Sequence, residues 1–148
     1  MLSPTELVHA VFDGLREKAA DRNFDDICSC FAFDAQHYVA GSALKSSQQE
    51  VAKSVVEHVE RLEALGLDIL GQTDHIDEIL DMGVDFVGAR FHGSIPIKGP
   101  PPVIPALFFR GMTIIQKSLP SPVIKWQYLE YQKRPFHPGD AKRYSVAH

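Results

Sequence analysis

A chain of 148 residues, 45% hydrophobic and 23% charged, has apolar side chains for one core and no room for two. A single domain over residues 1–132 is therefore expected, with a loosely ordered tail over 133–148 that holds the clustered basic residues Lys133, Arg134, Lys142 and Arg143. A formal net charge of −4 excludes nucleic acid as a partner, because phosphate binding needs Lys and Arg gathered on one face.

Ser3-Pro4-Thr5-Glu6 is a capping box with proline at the first helical position, and Leu7, Val8, Val11, Phe12, Leu15 and Ala19 follow at helical spacing. A first helix over about residues 4–21 follows from that spacing. This opening stretch lacks the basic-then-apolar order of a secretion signal, and nothing later approaches the ~18 apolar residues of a membrane span, so no membrane and a cytoplasmic location are expected. Asn23 caps a second short helix that carries Phe24, Ile27, Cys28 and Phe31 inward and ends at Asp34. Within it Cys28 and Cys30 would diverge by about 200°, which suits neither a disulfide nor a two-sulfur metal clamp. Both read as small buried apolar groups.

A short strand over 35–41 leads to Ser46 and Ser47, whose partners Gln49 and Glu50 complete two overlapping capping boxes. Val51, Val55, Val59 and Leu62 form the stripe of a third helix that stops at Gly66, and His58 lies on that stripe. Beyond Gly66 the periodicity turns to two. Strands over 73–80 and 84–97 flank an Asp81-Met82-Gly83 turn, and strands over 103–116 and 123–132 flank KSLPSP. The prolines of IPIKGPPPVIP prevent regular pairing there and make that loop a rim or lid, or else an ordinary connection or dimer contact. Helix, helix, strand, helix and four strands together give an α+β fold with helices on one face of a mainly antiparallel sheet.

With this order of elements, the passages FAFDAQHYVAG, VDFVGARFHGS and FFRGMTIIQKSLPSPVIKWQYLEY resemble the SnoaL-like polyketide-cyclase branch of the nuclear-transport-factor-two-like superfamily, over about residues 4–132. The resemblance implies a curved sheet wrapped around the helices as a cone with an apolar cavity. It is closest in character to the fungal cofactor-free isomerases and cyclases of natural-product pathways. The catalytic aspartates of the bacterial cyclases and of limonene epoxide hydrolase fall at Thr113 and Tyr128, so neither mechanism carries over.

Strand parity nominates the cavity residues. Val87, Ala89 and Phe91 make the continuously apolar set of their strand and should face the core. An even loop at Asp81–Gly83 sets Asp74 and Glu78 opposite them; an odd loop or bulge brings His75 and Asp77 inward, and a reversed parity makes Arg90 and His92 the site. In the last strand Ile124, Trp126, Tyr128 and Glu130 share a face, and the family pattern turns Phe109 and Thr113 inward. The expected catalytic set is therefore Asp74, His37, Glu130 and Tyr128, with Trp126, Phe91, Phe109, Thr113 and His58 against the substrate. A desolvated carboxyl there would titrate nearer neutrality, and imidazole already does.

The expected function is a cofactor-independent isomerase or cyclase acting on a bulky apolar secondary-metabolite intermediate, a polyketide, terpenoid or alkaloid. A scytalone-type dehydratase and a non-catalytic small-molecule-binding or dimerisation module stand as alternatives. No ligand spacing suggests a metal, and no Gly-rich phosphate loop suggests a nucleotide cofactor. A homodimer is expected, because Phe108, Met112 and Ile114 would otherwise lie exposed together on the outer sheet face.

Overall fold

The computed structural model describes residues 2–117 and 121–132, so the expected tail over 133–148 lies outside the described residues. Helix α1 (Pro4–Ala20) starts as its caps dictate. The Glu6 N–H donates to Ser3 Oγ at 3.1 Å, and the Ser3 N–H donates back to Glu6 Oε1 at 3.0 Å. Helix α2 (Phe24–Cys28) takes Asn23 as its cap. It is shorter than expected: Cys30 lies beyond it, Phe31 opens strand β1 (Phe31–Val39), and Phe24 is partly exposed. Both cysteines are free thiols.

Helix α3 (Gln48–Ala64) is capped by Ser47, and beyond its end Gly66 adopts φ +82°, the left-handed conformation that glycine takes without a side-chain clash. A single 3-10 turn (Ile69–Gly71) then enters β2 (Thr73–Asp81), β3 (Phe86–Pro96), β4 (Pro105–Gln116) and β5 (Val123–Tyr131). The expected α+β class holds. The five strands lie in the order β1-β5-β4-β3-β2, with every neighbouring pair antiparallel except β1 and β5, which run parallel. The core forms where Val8 and Phe12 of α1 and Val51 and Val59 of α3 meet Ala89, Phe91 and Ile115 of the sheet.

Register irregularities decide which side chains meet the helices. In β2 the extra residue is Asp77, because Ile76 pairs with Phe91 while Glu78 pairs with Arg90. Asp74 and Ile76 therefore share the inner face with Phe91, whereas Glu78 is thrown outward onto the Arg90 guanidinium at 3.1 Å. In β5 the extra residue is Lys125, between Ile124 opposite Ile115 and Trp126 opposite Ile114. That bulge splits the face expected for the last strand. Ile124 stays inside, Trp126, Tyr128 and Glu130 go outside, and Gln127, Leu129 and Tyr131 take the inner positions opposite Thr113, Gly111 and Phe109.

The inner floor is flattened by a reciprocal pattern. Phe91 faces Gly111 across β3/β4, and Phe109 faces Gly93. A Cβ at Gly111 would lie 2.8 Å from Phe91 Cζ, and one at Gly93 would lie 2.5 Å from Phe109 Cζ, so each ring occupies the space its glycine leaves. On the outer face Phe108 is buried and Met112 and Ile114 are half-buried, so the trio expected to lie exposed together is partly covered by the chain itself.

Candidate active site

Between α1, α3 and the inner sheet face lies a cavity of about 290 Å³. Its apolar walls come from the helix stripes, Phe12 and Leu15 against Val55, Val59 and Leu62, and from Phe91, Phe109 and Leu129 below. Its polar groups enter from five places. Arg16 stands on α1, His58 and Arg61 on α3, His37 on β1, Gln72 and Asp74 at the start of β2, and Gln127 and Tyr131 on β5.

Asp74 is the enclosed carboxylate, its side chain 5% exposed. Its Oδ2 accepts from Arg16 Nη1 at 3.0 Å and its Oδ1 accepts from Gln72 Nε2 at 3.0 Å. Burial raises its pKa, and the Gln72 hydrogen bond and the Arg16 charge oppose that shift without cancelling it. Arg16 is itself tied down, since Nη1 also donates to the Gln72 carbonyl at 2.8 Å and Nη2 pairs with Asp13.

His58 and Tyr131 form the second polar group, with His58 Nε2 and the Tyr131 hydroxyl 2.9 Å apart. Burial, then the neighbouring Arg61 charge, lowers the His58 pKa to about 4, so its ring is neutral at pH 7. Burial and the Asp74 charge raise that of Tyr131, which therefore stays a phenol and a hydrogen-bond donor. His37 is also lowered to about 4 by burial, against a smaller opposing effect from Gln127, and its Nδ1 has no hydrogen-bond partner among the described residues.

Of the residues nominated from sequence, Asp74, His37, His58, Phe91 and Phe109 are brought together around the cavity. Four are not. Tyr128 stacks on Tyr38 at 5.6 Å on the outer face and donates to Glu130 Oε2 at 3.1 Å, while Glu130 pairs with Arg110 at 3.2 Å. Trp126 lines a shallow outer groove with Met112 and Ile114. The β5 bulge is the physical reason for all three. Thr113 does point inward but is packed beneath the cavity, its hydroxyl donating to the Trp126 carbonyl at 3.3 Å.

The reversed-parity residues also lie outside: His92 Nδ1 is 2.8 Å from Asp77 Oδ1, and the His75 and His92 rings meet at 4.9 Å. The proline-rich loop contributes no cavity wall. Sequence reasoning missed Arg16, Arg61, Gln72, Gln127 and Tyr131. A signal existed for Arg16, which sits four residues after Phe12 and three before Ala19 on the apolar stripe of α1. Among the described residues no group of three or more His, Cys, Asp or Glu could hold a metal ion, and no helix is long and apolar enough to cross a membrane.

Helices on the inner face of a five-stranded curved sheet define the NTF2-like, or cystatin-like, fold class. A ketosteroid isomerase-like protein from Erwinia carotovora atroseptica superposes with a TM-score of 0.63 at 13% identity, over 86% of this chain and 95% of that one. An NTF2-like protein with a cystatin-like fold from Novosphingobium aromaticivorans gives 0.66 at 11% identity, over 87% and 82%. A dehydratase candidate of the NTF2-like family from Streptomyces avermitilis gives 0.62 at 11% identity, over 88% and 97%. These likenesses show the fold alone. No family model and no curated protein matches the sequence.

Proposed function

We propose that this protein is a cofactor-independent acid–base enzyme, an isomerase or dehydratase acting on a small, largely apolar molecule held in the cavity. The observation that carries the reading is that Asp74, a buried carboxylate of raised pKa, shares one enclosed apolar space with the His58–Tyr131 pair. A base of raised pKa is a stronger proton acceptor at neutral pH, and its pairing with Arg16 keeps it ionised enough to act.

In the chemistry this arrangement supports, Asp74 removes a proton from the carbon beside a carbonyl. The electron pair moves onto the carbonyl oxygen, which accepts a hydrogen bond from the Tyr131 hydroxyl, and His58 donates to the Tyr131 oxygen from behind. Return of the proton from Asp74 to another carbon completes an isomerisation. Departure of a neighbouring hydroxyl as water completes a dehydration, the hydroxyl taking up the proton that Asp74 removed. His37, neutral at the cavity wall, orients the bound molecule by hydrogen bonding. The ketosteroid isomerase-like and dehydratase-candidate neighbours support the same pair of reactions.

A cavity of about 290 Å³ stands at the small end of the ~300–1,000 Å³ typical of ligand sites, which favours a compact ligand over the bulky polycycle expected from sequence. The test uses 2-tetralone, an apolar ketone, and follows deuterium uptake beside its carbonyl in heavy water. Asp74→Asn and Tyr131→Phe should each slow exchange by about 10²-fold or more, while Tyr128→Phe, on the outer face, should not. Undiminished exchange in Asp74→Asn overturns the assignment of the base.

A further inference from the structure

We infer that the ligand bears a carboxylate on its apolar body, and that Arg61 on the cavity wall receives it. This rests on reading the cavity as the substrate site. Three observations lead there. Arg61 lines the cavity from the last turn of α3 and is exposed, so it bridges the cavity and solvent. Among the described residues its guanidinium makes no ion pair or hydrogen bond, not even with Glu57, one turn back, where a helical ion pair would form. The other cavity arginine, Arg16, is already committed to Asp74, Asp13 and the Gln72 carbonyl.

Asp74 and Asp13, the carboxylates near the cavity, are therefore both taken up by Arg16. Both cavity histidines are uncharged at neutral pH, and Arg61 is the cavity cation with no carboxylate of the described residues paired with it. Guanidinium presents a planar fork that fits a carboxylate with two parallel hydrogen bonds. Its position also carries chemical information. Ser54, His58 and Arg61 all line the cavity and follow one another at intervals of four and three residues, so they form a row along α3 with about 5–6 Å between neighbours. A carboxylate held at Arg61 sets the ligand atoms about one helical turn away beside the His58–Tyr131 hydrogen bond. The substrate class is thus a small monocarboxylate with an apolar body and a carbonyl or hydroxyl set back from its acid group.

The experiment compares 1-naphthaleneacetate with 1-naphthaleneacetamide, nearly equal in shape and different in charge, by calorimetric titration at pH 7. The acid should bind the native protein about tenfold more tightly than the amide, with the preference shrinking as salt rises. Arg61→Gln should remove the preference, weakening the acid about tenfold more than it weakens the amide. Equal affinities in the native protein, or a preference that survives Arg61→Gln, overturns the proposal while leaving the cavity reading intact, since both probes still bind. Binding of neither probe overturns both readings. An acid preference that persists in Val55→Phe, which fills the cavity, places the probe elsewhere and also overturns the proposal.

Discussion

His37 and His58 each protonate near pH 4 in the folded chain, against an ordinary value of 6.5, because burial disfavours the imidazolium. As pH falls below about 6.5 the unfolded chain takes up these protons and the folded chain does not, so stability falls with pH across that window. Below both values the loss approaches about 3 kcal/mol for each ring. Asp74 works in the opposite direction, since its raised pKa means the folded state keeps a proton that the unfolded state has already lost. Its contribution to stability declines as pH rises through its own window. Two rings against one carboxyl leave the histidines dominant. The urea midpoint should drop markedly between pH 7 and pH 4.5, and His58→Gln, which keeps a polar group beside Tyr131, should lose about half of that drop. A pH dependence identical to that of the native protein would contradict the buried, neutral state of His58.

At the scale of the elements, the Phe91–Gly111 and Phe109–Gly93 exchanges make the floor of the site, and they invert the usual cost of glycine. An alanine at 111 would place its Cβ 2.2 Å from the Tyr128 carbonyl oxygen as well as against the Phe91 ring, so the strands must shift. Gly14, inside α1, has nothing within 4 Å of its missing Cβ. Gly111→Ala should therefore destabilise by at least about 1–3 kcal/mol, while Gly14→Ala should stabilise by roughly 0.5–1 kcal/mol through helix propensity. Chemical denaturation of the two variants checks both signs. The same contrast explains what sequence could show. Caps and stripes are local, so α1 and α3 and the inward places of His58, Phe12 and Val59 were legible. Bulges are not local signals. Nothing near Asp77 or Lys125 announces the extra residue, and the parallel pairing of β1 with β5 joins segments separated by most of the chain. Asp74 faces inward as expected only because the Asp77 bulge offsets the register beside the turn, where Ile79 and Asp81 oppose Ala89 and Val87, whereas nothing offsets the Lys125 bulge and Trp126, Tyr128 and Glu130 were misplaced by it. Tyr131 was missed for the same reason, since only the register opposite Phe109 reveals its face.

For the whole molecule, the cavity is a stability deficit maintained beneath two helices. Its walls lack the dispersion partners and the apolar burial that a filled core would supply, so a larger side chain of the right shape can recover part of that energy. Val55 is suited to the test, because it is half-buried on α3, lines the cavity, and makes neither of the polar contacts assigned to chemistry. Val55→Phe grows into space already open and should stabilise the fold by about 1 kcal/mol, or roughly 2–4 °C in Tm for a domain of this size. It should at the same time abolish exchange of 2-tetralone and binding of both naphthalene probes. That joint outcome is the signature of space kept open for a ligand at the expense of packing. If Val55→Phe instead lowers Tm by several degrees while exchange continues, the space is not available to side chains or substrates in solution. The cavity would then be closed by repacking of α3 onto the sheet, and the acid–base reading of Asp74, His58 and Tyr131 would fail with it.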